Sequence, residues 1–487
     1  MPSARPGCAP PVRRVSSDSS RCSSGTARKA AAKPMRTTPT SGSAAQPPGT
    51  LVERVFAWGR IAPAAGPVAR PFFVDEVAPA LARPSLPGAS RLCHGLGRSY
   101  GDVALNSGGL TVYTTCLDRL IAANWEAGVV RAEAGTSLDA LLRVVLPRGW
   151  SVPVLPGSRF VTLGGAVAND VHGKNHLTAG SFGAHVTRIG LLRGDRAIEV
   201  TPGGPLFAAT LGGLGLTGAI LWVELRLARV ASSLLETETR PIACLAEYFA
   251  AMEDSAARWE HRVAWIDCLS STEGRGLFTR ARHAPSGVLE PPRRPHLSLP
   301  MDAPSFALNG LTVRAFNWVY RRFGAIGARP QRLEDFFFPL DGIANWNRMY
   351  GKRGFFQHQS VVPRANAREA VRALLAETAR AGEGSFLVVL KEFGPRRSEG
   401  VLSFPMEGTT LAVDLPNRGD STRRLLGRMA DIALEAGGRI YPAKDAAMTP
   451  DQFRRSFPEW EHVEEQREPG FDSDFWRRVT GRRGCAE

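Results

Sequence analysis

The chain has 487 residues, 43% of them hydrophobic and 22% charged, the balance of an ordinary globular protein and too much sequence for a single core. No run approaches the roughly 18 apolar residues that cross a bilayer, so any membrane contact has to be peripheral. The net charge of +15 is concentrated in residues 1–50, where eight basic residues face Asp18 alone, leaving +8 for the other 437. That body has no lysine-arginine stripe interleaved with aromatics, so a nucleic-acid binder is not expected. Seven cysteines, odd in number and far apart, give neither a disulfide framework nor zinc-ligand spacing, so no metal is expected and a reducing, cytoplasmic setting fits.

In chain order, residues 1–50 are Ser, Ala, Pro, Arg and Thr without apolar periodicity and read as a disordered basic tail, or as a start upstream of Met35. A turn follows at GLGRSYGD, in which Gly95, Gly97 and Gly101 bracket Arg98, Ser99 and Tyr100 and could offer N–H groups to a diphosphate. A strand at 128–133 leads to a helix capped by Thr136 or Ser137 and buried along Leu138, Leu141, Leu142 and Val145. A strand at 151–155 then enters Pro156-Gly157-Ser158 and the glycine-rich stretch VTLGGAVANDVHGKNHLTAGSFG (161–183). Small residues there let backbone approach a flat or polyanionic ligand, while His172, Lys174, Asn175 and Ser181 supply polar groups.

A hairpin is expected over 186–200. Gly213, Gly215 and Gly218 form a formal GxGxxG, but the continuation AILWVELRL alternates as a strand rather than a helix, which excludes a Rossmann reading. Beyond 230 the pattern predicts helices at 241–255, 366–382 and 421–437, with strands at 262–269, 355–362, 386–393 and 410–415. In the second of those strands Gln357 and Gln359 fall on one face. Six prolines make 284–304 a long loop, a lid or a membrane-facing flap, and 445–487 returns to charged helical text.

The order of these segments carries more than any one of them. GLGRSYGD, the 156–183 block and GGLGLTG before a strand together resemble the FAD-binding domain of the vanillyl-alcohol oxidase class. FFFPLDGIANWNRMYG, GFFQHQSVVP, SFLVVLKEFGP, LSFPMEGTTLAVDLP and GGRIYPAKDA extend the resemblance, more narrowly, to the flavin subunit of decaprenylphosphoryl-β-D-ribose 2-oxidases over residues 51–487.

That resemblance implies an α+β protein. A two-part PCMH-type FAD-binding domain (51–229) would be completed by a C-terminal segment (445–487), beside a substrate domain (230–444) with an antiparallel sheet covered by helices. It implies FAD contacts from Gly95, Gly97, Arg98, Ser99, Tyr100, Gly101, Pro156, Gly157, Ser158, Thr162, Gly164, Gly165, Ala168, Asn169, His172, Gly173 and Asn175. Ser181, Gly183, Gly218 and Lys444 would follow. Lys444, His172, Tyr100 and Lys174 would serve catalysis, and Lys174, Gln357, Gln359 and Lys391 the substrate.

Arg98 occupies the slot where covalent relatives carry histidine, so the resemblance implies a non-covalent flavin. Ala412 replaces a family cysteine and Phe337 a family tyrosine, which leaves the substrate more open than the cofactor. The expected reaction is oxidation of a secondary alcohol of a sugar, best a polyprenylphosphoryl ribose. An aldonolactone or alditol oxidase and a non-catalytic basic binding protein are the alternatives. The expected setting is the cytoplasm or the membrane periphery, and the resemblance adds an NAD(P)-dependent reductase as partner.

Overall fold

In the computed structural model the described residues are 52–82, 89–270, 274–304, 308–324, 326–382 and 385–481; the expected basic tail lies outside them. Three main sheets organise the chain. The first pairs Val52–Phe56 antiparallel with Pro63–Ala69, which joins Leu110–Tyr113 and Arg91–His94 in parallel. The second is fully antiparallel and includes the expected hairpin, Val186–Arg193 with Arg196–Val200. The stretch after the formal GxGxxG is indeed a strand, Ala219–Arg226, at the centre of that sheet.

The third sheet has eight antiparallel strands drawn from 234–440. Its pleat sets the architecture. On one face Ile266, Phe278, Phe356, Val388, Leu390 and Leu411 pack against helices Leu245–Asp254, Ala367–Ala381 and Asp420–Glu435. Burying each such side chain stabilises the fold by about 1.5–3 kcal/mol. The other face, by alternation, carries Trp265, Leu277, Val389, Lys391, Ala412 and Gln359, which look into a cavity.

Local chemistry explains most boundaries. The Ser137 hydroxyl accepts from the Ala140 N–H and starts helix Leu138–Val145, whose buried stripe is the one expected. Two expectations need correction. The strand at 151–155 is only Trp150–Ser151, because Pro153 cannot donate to a ladder. The helix expected from 241 starts at Leu245, and Pro241 instead lies near the end of strand Leu234–Ile242. There it pairs with Leu277 on one side, while the strand on the other side stops at Thr239, so its missing N–H leaves no ladder bond unmade.

Helix Gly310–Phe323 was not expected at all, nor were strands Gly276–His283 and Gly327–Arg332. The proline-rich 284–304 segment is irregular apart from Leu297–Ser298, paired with Ile343–Ala344.

Helices Pro450–Ser456, Glu461–Gln466 and Asp474–Thr480 close the chain, and Phe453, Phe475 and Trp476 share one core with Leu92, Val103 and Leu216. The loop before them knits to the first glycine turn: the Tyr100 N–H donates to the Ala443 carbonyl at 2.9 Å. A Cβ on Gly101 would lie 1.7 Å from the Asp445 carbonyl oxygen, so no side chain fits between the two backbones. Gly101→Ala is expected to lower unfolding free energy by about 2 kcal/mol or more. Gly427→Ala, in open space within helix Asp420–Glu435, should be neutral or slightly stabilising. Thermal unfolding of both variants checks the contrast, and equal midpoints would refute the backbone-contact reading.

Candidate functional site

A cavity of about 600 Å³ runs between the glycine turns and the cavity face of the large sheet. One wall is formed by the 95–100 turn, the 156–158 loop, and Val161, Thr162, Gly164 and Gly165 with Gly215 and Gly218. Thr162 caps the short helix Leu163–Ala168 through the Gly165 N–H. Gly164 and Gly165 therefore lie in a first helical turn that faces the cavity. Gly157 has nothing within 4 Å of where a Cβ would sit, so its backbone is open to a ligand.

Arg98 is held at this wall rather than left loose. Its guanidinium lies 3.9 Å from the Trp58 ring centroid, and its Nε donates to the Phe160 carbonyl at 3.2 Å. Asp341 fixes the neighbouring loop by accepting from the Ser158 hydroxyl at 2.9 Å and the Arg159 N–H at 2.8 Å.

The opposite wall is polar where it meets His172. Lys391 Nζ lies 3.3 Å from His172 Nδ1, and Gln359 Nε2 lies 3.2 Å from His172 Nε2 and donates to the Thr410 hydroxyl at 3.2 Å. Burial, then the Lys391 charge, holds the imidazole well below its ordinary range, so the ring is neutral and Nδ1 accepts from the ammonium. Phe393, Phe404 and Tyr441 box the ring, the nearest centroid at 4.7 Å. Gln357 donates to Asp414, whose other oxygen accepts from the Tyr350 hydroxyl at 3.2 Å.

Three half-buried lysines share this cavity. Burial, then the Lys391 charge, pushes Lys174 down to about 7, and burial pushes Lys391 down to about 8. Lys444 is also pushed down by burial, against the pull of the Asp414 carboxylate, and its Nζ sits 3.7 Å from the Tyr100 ring centroid. Asp414 is pushed up by burial, with Gln357 and Lys444 opposing. Lys174 donates to the Phe336 carbonyl and lies over that ring at 4.3 Å.

Most of the expected residues thus line one cavity, from Gly95 to Lys444. Four do not. Gly101 abuts the 445 backbone, and Asn175 lies behind the wall with its amide donating to the Pro153 carbonyl at 2.9 Å. Ser181 is buried beside His172 in a strand bridge, and a Cβ on Gly183 would strike Leu211 at 2.3 Å. These four stand one layer back from the cavity surface. Conversely Trp58, Asp341, Asp414 and Tyr441 were missed: each comes from a segment remote in sequence from the glycine blocks. The prior signal for three of them was that Asp341, Asp414 and Tyr441 fall within the segments FFFPLDGIANWNRMYG, LSFPMEGTTLAVDLP and GGRIYPAKDA that extend the resemblance.

The residues fit a flavin dinucleotide. The cavity offers open backbone at Gly157, a capped helical turn and fixed cations. Asn169 Oδ1 is a buried acceptor without a partner among the described residues, suited to a cofactor hydroxyl or N–H. Residues 67–199 match the FAD binding domain family. The chain is 36% identical over 454 residues to decaprenylphosphoryl-beta-D-ribose oxidase of Mycolicibacterium smegmatis, covering 88% of this chain and 98% of that one. It is 34% identical over 367 residues to an uncharacterized Streptomyces coelicolor protein, covering 70% and 99%. A shorter match, 37% over 112 residues, links 22% of the chain to 11% of D-2-hydroxyglutarate dehydrogenase of Escherichia coli. With its cavity, its cofactor-domain match and a relative aligned nearly end to end, the chain belongs to the decaprenylphosphoryl-β-D-ribose oxidase family and is an FAD-dependent oxidoreductase acting on CH–OH groups.

Proposed function

We propose that this enzyme oxidises a secondary alcohol of a phosphorylated sugar, with the 2-hydroxyl of a polyprenylphosphoryl-β-D-ribose as the best-fitting substrate. The observation that carries the reading is the lysine triad. Lys174, Lys391 and Lys444 line one cavity, where the Asp414 carboxylate acts on Lys444. Lysines gathered in one cavity are suited to an anionic ligand, here a phosphate diester. Beyond them the sheet face turns apolar through Val389, Trp265, Val263 and Leu277 to Tyr320, a path suited to a prenyl chain rather than a free aldonolactone or alditol.

FAD, when bound, supplies the two-electron acceptor that takes hydride from the carbinol carbon. The chain's own part is to hold the sugar and move its proton. Lys444, its basicity lowered by burial, takes the hydroxyl proton, and the buried Asp414 carboxylate stabilises the ammonium that results. Gln359 and neutral His172 orient the sugar, while Lys174 and Lys391 hold the phosphate. Both His172 nitrogens already face partners and Arg98 replaces the histidine of covalent relatives, which supports a non-covalent flavin.

Helix Gly310–Phe323 supports contact with an anionic membrane surface. Val313 and Asn317 are its buried residues, and Asn317 donates to Asp267 at 2.7 Å. Its outward side exposes Leu311 (77%), Trp318 (64%) and Phe323 (70%) among Arg314 and Arg322. Tyr320 of the same helix lines the cavity, so this surface adjoins the proposed chain path. Among the described residues no helix is long and apolar enough to cross a membrane.

Three outcomes are expected. Lys444→Ala should retain FAD that is released into the supernatant on denaturation, while substrate-driven bleaching of the flavin slows by about 10²–10⁴-fold. An unchanged bleaching rate would remove Lys444 from its role, and colour held by the precipitate would remove the non-covalent flavin. The lysines with lowered pKa are cationic below about 7 and 8 and neutral above. KM for a phosphate-bearing substrate should therefore rise roughly tenfold between mildly acidic and alkaline buffer, about the loss of one charge-assisted contact. A dephosphorylated analogue should show no such rise, and parallel profiles would count against phosphate recognition. Finally, the protein should sediment with phosphatidylglycerol-containing vesicles, and Leu311→Ala/Trp318→Ala/Phe323→Ala should weaken this at least tenfold. Undiminished sedimentation would exclude the helix as the contact.

A further inference from the structure

On the same face of the large sheet, past Val263 and Thr279, lies a second polar cluster that the oxidation does not use. Strands His261–Ile266 and Gly276–His283 pair with His261 opposite Ala281, which makes His283 the diagonal neighbour of His261. Their rings stand 5.8 Å apart, and Glu260 reaches back so that one donor atom from each of Glu260, His261 and His283 lies within 4.8 Å of the others.

His261 is only 2% exposed, yet among the described residues neither ring nitrogen has an aligned hydrogen bond. Its Nε2 stands 3.3 Å from Glu260 Oε2 without alignment, and His283 Nδ1 is likewise unpartnered. Phe336 and Phe337 wall the His261 ring, with Phe337 at 4.8 Å, so no protein donor or acceptor can come from that side. Buried imidazoles ordinarily find partners, and a pair sharing its orphaned nitrogens with a carboxylate is a ligand set awaiting a cation.

We propose that Glu260, His261 and His283 bind one divalent transition-metal ion of borderline softness, Zn²⁺ being the best match. Two imidazoles and one carboxylate are a three-ligand zinc set, with the fourth position left to water on the half-exposed Glu260 side. Zinc bonds of about 2.0–2.2 Å require the three donors, within 4.8 Å of one another here, to draw closer around the ion. No cysteine-histidine spacing announces the site, since strand pairing, not sequence proximity, assembles it.

The cluster adjoins the wall of the cavity. Glu260 Oε1 is 3.4 Å from the Asn175 amide nitrogen, and the Arg262 N–H donates to the Lys174 carbonyl at 3.0 Å. A bound ion would brace the loop that presents His172 and Lys174, without taking part in hydride or proton transfer. The inference is independent of the substrate proposed above.

The test uses chelator-treated, desalted, FAD-loaded protein titrated with ZnCl₂ by calorimetry, with bound zinc counted by mass spectrometry after gel filtration. One equivalent should bind in the micromolar range or tighter, raise the thermal midpoint and slow hydrogen exchange across 172–176. Glu260→Gln and His283→Ala should each weaken binding at least tenfold. Glu260 is partly exposed, so its variant remains informative if His283→Ala folds poorly. The absence of saturable binding in the wild type, or binding undiminished in Glu260→Gln, overturns the site.

Discussion

The period-two pleat of the large sheet is the constraint on which the site depends. Successive residues of 388–393, 408–416 and 355–362 point alternately to the helices and to the cavity. A slip of one residue would drive Lys391, Gln359 and Thr410 into the helix-covered core and turn Leu390, Leu411 and Val413 toward the cofactor space. The register is therefore enforced by apolar burial on the far side of the sheet. The polar face inherits its precision from a core that never touches substrate.

That inheritance lets the cavity hold groups that would otherwise destabilise it. Three lysines share this space, and burial shifts each toward its neutral form. An anion entering such a space meets donors already oriented and poorly solvated, so little reorganisation accompanies binding. His172 fits the same scheme. Boxed by three aromatic rings and facing Lys391, it stays uncharged and acts as a fixed hydrogen-bonding group rather than another cation.

The sequence disclosed features wherever a local pattern had one physical cause. Alternation revealed strands 355–362 and 410–415 and placed Gln357 beside Gln359, and Ser137 announced its helix. Helix Gly310–Phe323 stayed hidden because its polarity runs backwards: Asn317 is buried while Leu311, Trp318 and Phe323 face outward. The glycine blocks located the cofactor wall but not each residue's part in it. Gly157 and Gly101 look alike in text, yet one is open to a ligand and the other is pressed against backbone. Asp341 and Asp414 lay in segments that carried the resemblance, but their roles were not legible because their partners Ser158 and Tyr350 meet them only through tertiary packing.

The junction between the first glycine turn and the YPAKD loop has a consequence for how the molecule comes into being. Tyr100 reaches Ala443, Arg91 donates to the Gly470 carbonyl at 2.7 Å, and Arg478 pairs with Asp102 at 2.7 Å. Each contact closes a loop of more than three hundred residues, at a correspondingly large entropic cost and a slow approach to the native state. A chain emerging from the ribosome has made nearly all of its three sheets before it possesses Lys444 or the helices that brace it. The wall at the first glycine turn is therefore complete only once the C-terminal segment has been made, and until then the sheets rest on the three helices that cover the largest of them.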